Sequence, residues 1–257
     1  MLTYKNIVHD YITMWTRTIL ESHNSKSALC VFTGGSDSAL NAAMLLRSTS
    51  HIPVNIIFIG FKKENNEIFE NWIVKNFAYD HYKIIKPVMP NIVIEDFDAL
   101  DIRPSMIPAF TDIYSKINNS ITFGSLTKSE YSLVKFFKTR VDDIFDYYPL
   151  IDLYKSECAE LSGYIGLPDK LSTTKSITEE SFGYTYEELE WLDRENDNLS
   201  IVSAMDYPNF APHWGFFNDR KKSLVLKVYN MNKTNKLRTI DSSKLCLIRK
   251  SMPGSIV

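Results

Sequence analysis

Cysteine is scarce in this chain of 257 residues, which has only three: Cys30, Cys158 and Cys246. They lie too far apart for the C-x-x-C spacing of a metal or redox site. The five histidines show no ligand spacing either. We therefore expect reduced, mostly buried thiols, and neither zinc nor another structural metal held by the protein.

Long apolar runs and a large net charge are also lacking. No stretch approaches the ~20 apolar residues needed to span a bilayer. Residues 1–19 include Lys5, Asp10 and Arg17 among the apolar positions, unlike the unbroken apolar core of a signal peptide. The formal net charge of −2 argues against general attraction to nucleic acid or anionic lipid. We expect a cytoplasmic protein with small-molecule substrates, and neither a membrane nor a nucleic-acid partner.

The chain does contain enough apolar material for a core, with 44% hydrophobic and 13% aromatic residues. Apolar runs alternate with segments of helical periodicity, which predicts right-handed crossovers and a mostly parallel sheet. The predicted fold class is therefore α/β, a doubly wound sheet with helices on both faces. Strands are predicted at 28–32, 54–61, 82–85 and 120–123, and helices at 4–20, 39–47, 66–77, 107–117, 128–138, 154–165 and 186–194.

The pattern weakens towards the end of the sequence. We predict a main domain over residues 1–195 and a small, irregular C-terminal extension over residues 196–257, whose role the sequence leaves open. Residues 223–229 of this extension alternate like a strand. Basic residues are concentrated there, namely Lys221, Lys222, Lys227, Lys233, Lys236 and Arg238. The extension is therefore locally basic, although the whole chain is not.

A glycine loop separates the first predicted strand from the helix that follows it. Its residues are Thr33, Gly34, Gly35, Ser36, Asp37 and Ser38. Consecutive backbone N–H groups at a helix start bind an anion, and glycines let phosphates approach closely. Thr33 and Ser38 can add hydroxyl donors, and Asp37 is placed to hold Mg²⁺ that bridges the phosphates. The alternative is a tight turn that uses glycine for backbone reasons alone, with Asp37 and Ser38 as helix caps.

The loop resembles the S-G-G-x-D-S loop of the ATP pyrophosphatase superfamily, with Thr33 in place of the first serine. No lysine follows the glycines, so it is not the loop that holds β- and γ-phosphates for γ transfer. The resemblance implies an adenine nucleotide alpha hydrolase-like fold, with residues 1–195 as the ATP pyrophosphatase domain. It also implies that ATP is split between its α- and β-phosphates while an acyl group is activated as its adenylate.

A second motif follows the strand predicted at 120–123. Residues 124–130 read Gly-Ser-Leu-Thr-Lys-Ser-Glu, and residues 152–155 read Asp-Leu-Tyr-Lys. They resemble the G-T-x-N-K-S-E and D-L-Y-K-T segments of ammonia-dependent NAD synthetases. Further matches are Phe137, Asp142, Asp146, Pro149, the Gly-Leu-Pro at 166–168 and the Gly-Tyr-Thr-Tyr at 183–186. With the glycine loop, the resemblance covers most of residues 28–193 and is absent after residue 193.

By this resemblance, charged side chains of both motifs surround the reacting phosphates. Glu130 would complete the Mg²⁺ site with Asp37, because carboxylate-held Mg²⁺ neutralises pyrophosphate as its charge develops. Lys128 and Lys155 would contact phosphate as mobile point charges, and Lys155 and Asp37 are candidate catalytic residues. The alternative for Glu130 and both lysines is an ordinary solvated surface position.

Other candidate residues rest on looser matches. Asp142 and Lys138 would bind the dinucleotide substrate, or Asp142 a second Mg²⁺. Arg103 would reach phosphate, unless it forms a surface ion pair. The family has a lysine pair where residues 172–178 stand here, and this segment contains a single lysine, Lys175. Lys175 would take the place of the catalytic lysine that contacts the reacting phosphates.

The resemblance implies an ATP-dependent amide-forming ligase, a homodimer that uses ATP and Mg²⁺ to convert deamido-NAD and ammonia to NAD. Val141 and Asp143 stand where the family has the glycines of its G-D-G motif. This departure leaves open another acyl substrate, as in 7-cyano-7-deazaguanine synthases, tRNA-modifying enzymes or sugar amidotransferases. A nucleotide-binding module without turnover is the third alternative, although Asp37, Ser38 and Glu130 are retained.

Overall fold

The computed structural model describes residues 2, 4–49, 51–59, 63–87, 99–134, 144–172, 183–198, 218–234 and 242–248. In this part of the chain, four strands form one parallel sheet. They are β1 (Ser27–Phe32), β2 (Val54–Phe58), β3 (Tyr82–Ile85) and β4 (Ser120–Phe123). The order β3-β2-β1-β4 puts β1 between β2 and β4. All four strands lie at the predicted places in the chain, although β2 was predicted to extend to residue 61 and ends at Phe58.

Alternate residues of β1 face two different cores, because successive side chains of a strand point to opposite faces. Ala28, Cys30 and Phe32 lie in one core, and Leu29 and Val31 lie in the other. Every residue of β1 is buried. This is the burial of a parallel strand that is covered on both sides, so the predicted doubly wound α/β fold is confirmed.

Helices pack on both faces of the sheet. The first core packs against α1 (Lys5–Ser22), α2 (Ser36–Ser48) and α5 (Lys155–Tyr164), and the second packs against α4 (Ala99–Asn118). The other described helices are α3 (Lys63–Asn76), α6 (Asp169–Ser172), α7 (Tyr186–Asn198) and α8 (Asp219–Thr234), with 3₁₀ turns at Tyr79–His81 and Ser242–Lys244 and a π-helical turn at Ser129–Val134.

One prediction for the C-terminal extension is wrong. Residues 223–229, predicted to alternate like a strand, belong to helix α8. Asn218 Oδ1 accepts a hydrogen bond of 2.9 Å from the Lys221 N–H, as a helix N-cap does. Leu224 and Val225 are both buried, whereas adjacent residues of a one-sided strand are not buried together. The extension, predicted to be irregular, therefore contains a regular helix.

The chain later returns to the edge of the sheet beside β4. Phe123 forms a parallel bridge with Tyr147, and Tyr148 forms a second parallel bridge with Leu245. Ile248 is buried in the same core as the first face of β1. This part of the extension thus packs on the main sheet, and the division after residue 195 stays a prediction.

All three cysteines are free and buried, as the sequence predicts, and burial raises the pKa of each thiol above its ordinary value. Among the described helices, none is long and apolar enough to cross a bilayer.

Candidate active site

The glycine loop connects β1 to α2. Gly34 has a φ of 87°, a backbone conformation that favours glycine over any residue with a side chain. Gly35 occupies the N-cap position of α2 with an extended backbone, and Ser36 is the first helical residue. The unpaired N–H groups of the first turn of α2 therefore lie directly beside the loop, which is the arrangement of an anion site at a helix N-terminus.

The hydroxyl group of Ser38 holds this loop in shape. It donates a hydrogen bond of 2.9 Å to the Gly35 carbonyl oxygen and accepts one of 3.1 Å from the Thr33 N–H. Ser38 Oγ also lies 3.1 Å from Thr33 Oγ1. Ser38 is buried whereas Thr33 is exposed, so Thr33 presents the more accessible hydroxyl. The phosphate contact of Ser38 stays a prediction.

Asn65, in the first turn of α3, supports the loop from outside. Its buried side-chain amide donates a hydrogen bond of 2.7 Å to the carbonyl oxygen of Gly34. The sequence does not indicate a site role for Asn65, because an asparagine near a helix start is ordinarily a cap or a surface residue. Its role shows only once the packing of α3 against the loop is known.

Gly124 directly follows β4 and opens the second motif. A Cβ atom at this position would lie 2.6 Å from the ring of Tyr148 and 2.7 Å from the ring of Phe145. Both distances are far shorter than a normal contact, so packing requires glycine here. The Gly124 N–H donates to the carbonyl oxygen of Tyr147 at 2.8 Å. These contacts fix the direction in which the chain leaves the sheet.

Glu130 lies in the first turn of the π-helical segment, and Thr127 caps that turn. The N–H and the hydroxyl of Thr127 each donate to Glu130 Oε2 at 3.3 Å. The Glu130 N–H donates in return to the Thr127 carbonyl oxygen at 3.1 Å. Thr127 thereby holds one carboxylate oxygen of Glu130 and leaves Oε1 for a partner outside the motif.

Lys155, the first residue of α5, is that partner, and it joins the two motifs. Its Nζ lies 3.1 Å from Glu130 Oε1 and 2.8 Å from Asp37 Oδ2. Burial lowers the pKa of the Lys155 ammonium, but the carboxylates of Asp37 and Glu130 outweigh this effect, and its pKa lies well above the ordinary value. Lys155 is therefore a charged cation held between two carboxylates, and the structure brings these three predicted site residues together.

The aromatic ring of Tyr186 lies beside this ion cluster. Lys155 Nζ is 4.2 Å from the ring centroid, a cation–π distance, and Tyr186 is buried at the start of α7. Tyr186 is not among the site residues predicted from the sequence. The match of residues 183–186 to the family pattern was the signal that could have found it.

Asp37 and Glu130 are the predicted Mg²⁺ ligands, and their geometry fits a cation. One oxygen of each contacts the same nitrogen atom, so the two carboxylates face a common point. Mg²⁺ is usually bound through one or two carboxylates, with waters and substrate phosphates as the remaining ligands. Among the described residues, no group of three or more His, Cys, Asp and Glu side chains could hold a metal alone. A cation at this point would therefore need waters or phosphate oxygens as further ligands.

Lys128 contacts a different part of the site. Its Nζ donates a hydrogen bond of 2.9 Å to the Tyr154 hydroxyl and lies 4.6 Å from the centroid of the same ring. The guanidinium of Arg194 also lies 4.6 Å from that ring. Lys128 is therefore held against the ring of Tyr154, the residue that precedes Lys155 in sequence. A phosphate contact for Lys128 stays a prediction.

Asp146, one of the residues that match the second motif, has a structural role. Its Oδ2 accepts hydrogen bonds from the N–H and the hydroxyl of Thr122, at 2.9 and 2.8 Å. The Asp146 N–H donates back to Thr122 Oγ1 at 2.9 Å. Since Thr122 belongs to β4, these bonds fasten the segment after residue 144 to the sheet.

Four predicted site residues are not tested by these contacts. Lys138, Asp142 and Lys175 lie outside the described residues. Arg103 belongs to the backbone of α4, but its side chain lies outside the described part of the chain. Their contacts with phosphate or substrate stay predictions.

The sheet and the glycine loop together define a class of protein. A parallel, doubly wound sheet with this loop between β1 and α2 has the adenine nucleotide alpha hydrolase-like fold, as predicted. No protein-family profile matches the chain. Individual proteins do match it.

The chain is similar to NH₃-dependent NAD synthetases over most of its length. The enzyme of Finegoldia magna is 24% identical over 220 residues, which cover 80% of this chain and 90% of that protein. A solved NH₃-dependent NAD synthetase from Campylobacter jejuni has a TM-score of 0.64 at 19% identity, over 92% of this chain and 98% of the other. A solved NMN synthetase from Francisella tularensis has a TM-score of 0.65 at 15% identity, over 93% and 98%. The predicted resemblance is confirmed.

Proposed function

We propose that the protein is an ATP-dependent ligase that forms an amide, and that its acid substrate is deamido-NAD. The similarity to NH₃-dependent NAD synthetases supports the enzyme class and the substrate. The observation that carries the proposal is the contact of Lys155 with Asp37 and Glu130. This contact unites the phosphate loop and the second motif in one buried, charged site.

In the proposed reaction, a carboxylate oxygen of deamido-NAD attacks the α-phosphorus of ATP. The bond between the α-phosphorus and the bridging oxygen breaks, pyrophosphate leaves, and an acyl adenylate forms. Ammonia then attacks the acyl carbon, a proton is lost, and AMP leaves as the amide forms. Holding the reactants in register supplies a large share of the rate enhancement.

The described side chains suit the charge that develops in this reaction. The N–H groups of the loop and of the first turn of α2 receive the phosphates, and the Lys155 ammonium stabilises the pyrophosphate as it leaves. Mg²⁺ held by Asp37 and Glu130 would supply further neutralisation of the phosphates. Lys155 would then give up a carboxylate contact for a phosphate oxygen.

The proposal also includes substrate contacts that were predicted from the sequence and that no contact in the structure tests. The phosphates are bound by Arg103, Lys128 and Lys175. The dinucleotide is bound by Lys138 and Asp142. The protein acts in the cytoplasm as a homodimer, with ammonia as its nitrogen donor. Small-molecule substrates of this kind agree with a chain of formal net charge −2.

The deciding experiment incubates the purified protein with ATP, Mg²⁺, ammonium and deamido-NAD. We expect AMP, pyrophosphate and NAD in equal amounts by ion-pair chromatography and mass spectrometry. Pyrophosphate release should depend on deamido-NAD, so a reaction without the acid is the control. Formation of ADP as the main nucleotide product would contradict the adenylation mechanism.

The acid counterpart of NMN is the second substrate to be tested, because the fold also matches a solved NMN synthetase. Preference for this acid would keep the ligase chemistry and change the substrate. If neither acid is used and a different acid is adenylated, the substrate assignment is wrong while the ATP chemistry stands.

A further inference from the structure

Glu190 is a buried carboxylate that the proposed mechanism does not use. It belongs to α7 and is only 4% exposed. Its Oε1 accepts a hydrogen bond of 3.0 Å from Ser129 Oγ and one of 3.1 Å from the Ser156 N–H. Its Oε2 accepts a hydrogen bond from Ser156 Oγ. Both oxygens of this buried carboxylate therefore accept hydrogen bonds, and the three bonds define the position of the side chain.

The partners of Glu190 are the sequence neighbours of the ion cluster. Ser129 immediately precedes Glu130, and Ser156 immediately follows Lys155. Ser129 Oγ also accepts a hydrogen bond of 3.1 Å from the Lys155 N–H. The side chain of Glu190 therefore fixes the backbone next to both Glu130 and Lys155.

The same bonds satisfy the start of helix α5. The first backbone N–H groups of a helix have no acceptor inside the helix, and a negative charge is favoured at this end. Glu157, the third residue of α5, accepts a hydrogen bond of 2.8 Å from the N–H of the N-cap residue Tyr154. Glu190 and Ser129, from other elements, supply the acceptors for Ser156 and Lys155. The direction of the first turn of α5, from which Lys155 projects, thus depends on Glu190.

We propose that Glu190 is a positioning residue that sets where Lys155 and Glu130 meet Asp37. It acts through the two serines and does not itself contact the reacting groups. The inference rests on the proposed function, because the residues that it positions are those assigned to the pyrophosphate. Small displacements of such residues cost large factors in rate.

Two substitutions of Glu190 distinguish an effect of its hydrogen bonds from an effect of its charge. Glu190→Gln keeps one oxygen for Ser129 Oγ and the Ser156 N–H, and its amide can donate to Ser156 Oγ. Glu190→Ala removes every acceptor. We expect Glu190→Ala to lower kcat for pyrophosphate release about 10–100-fold, with KM for ATP changed less than about threefold. Glu190→Gln should stay within about threefold of wild type.

A matched control and a milder variant complete the kinetic series. Glu187→Gln removes an exposed carboxylate from the same helix and should keep the wild-type rate. If Glu190→Ala does not fold, Ser156→Ala replaces it, because this variant removes one donor to Glu190 and leaves the carboxylate in place. Its kcat should fall about threefold to tenfold.

Backbone amide exchange, followed by NMR, measures the positioning without turnover. Glu190→Ala removes the acceptor of the Ser156 N–H, so this amide should exchange at least about tenfold faster. The Cys158 N–H bonds to the Tyr154 carbonyl oxygen at 2.9 Å within the same helix and should keep its rate. Glu190→Gln should retain the protection of Ser156.

Three results are decisive. A folded Glu190→Ala variant with wild-type kcat would overturn the inference. So would a Glu190→Gln variant that is as slow as Glu190→Ala while its Ser156 amide stays protected, because charge rather than position would then matter. If the wild-type protein turns over no acid at all, the proposed function fails, and amide exchange alone decides whether Glu190 holds the first turn of α5.

Discussion

The two walls of the candidate site are held together in different ways. In the wall formed by the glycine loop, Ser38 bonds to residues three and five positions away. In the opposite wall, which carries Glu130 and Lys155, Ser129 bonds to residues 26 and 61 positions away. The bonds of Ser38 are therefore local, with Asn65 as a more distant support of the loop, whereas the bonds of Ser129 join separate helices of the second wall.

This difference predicts which changes each wall tolerates. A loop that is closed by its own residues keeps its shape when a distant helix shifts slightly. A wall assembled from α5, α7 and the π-helical turn loses its geometry when any one of them moves, because close-packed elements transmit such shifts. Substitutions far from the phosphates should therefore act mainly through the second wall.

The largest effect is expected from removing the carboxylate charge of either wall. Asp37→Asn and Glu130→Gln each leave Lys155 with one charged partner instead of two. We expect each to lower kcat for pyrophosphate release about 10²–10³-fold, as loss of a group that stabilises developing charge does. Asp112→Asn is the control, since Asp112 forms an exposed pair with Lys116 on α4. A loss in only one of the two variants would show that the walls do not share one task.

An intermediate effect is expected from Gly124→Ala, which disturbs the second wall by packing alone. The added methyl group would collide with the rings of Tyr148 and Phe145. We expect the free energy of unfolding to fall by ~1–3 kcal/mol, together with a loss of activity at temperatures below the melting transition.

Gly163→Ala is the matched control for this change. Gly163 lies in α5, and a Cβ atom there meets nothing within 4 Å. The variant should be more stable by ~0.5–1 kcal/mol, because alanine favours the helix. Denaturant unfolding measures both variants, and equal stability of the two would refute the packing argument.

The smallest effect is expected from Asn65→Ala, which removes a distant support of the first wall. The Gly34 carbonyl oxygen loses its 2.7 Å donor, at a cost of ~1–2 kcal/mol in stability. Asn76→Ala on the same helix removes an amide that bonds to the Trp72 carbonyl oxygen inside the helix, and should cost less. KM for ATP in Asn65→Ala should rise less than about threefold. A larger rise would mean that the bond from Asn65, and not the local bonds of Ser38, determines the shape of the ATP loop.

The sequence allowed the sheet and most helices to be predicted, because their signals are local. Strand β4 has the predicted bounds, and α7 starts at Tyr186 as predicted, after a cap in which the Glu188 N–H donates to Thr185 Oγ1. Helix α4 begins at Ala99, before the predicted residue 107, because prolines at 104 and 108 obscured its start. Helix α8 was missed since its apolar residues also alternate.

The candidate site, like the fold, could be predicted where its signals are local in sequence. The glycine loop, Glu130 and Lys155 stand out as motif residues, and the contacts of Lys155 confirm that they meet. Asn65 and Glu190 could not be predicted, because each acts through a tertiary contact that has no short-range pattern. A buried carboxylate in a helix is indistinguishable from a solvated one until the neighbouring helices are placed.

The parallel contact between Tyr148 and Leu245 bears on the order of events during synthesis of the chain. The two residues are separated by about 100 others, and closing so large a loop is slow. Strands β1 to β4 and the glycine loop leave the ribosome long before Leu245 does. Until then the backbone at Tyr148 is an open edge to which another chain can pair. In the folded chain, Lys244, Leu245 and Cys246 cover the backbone at Tyr148.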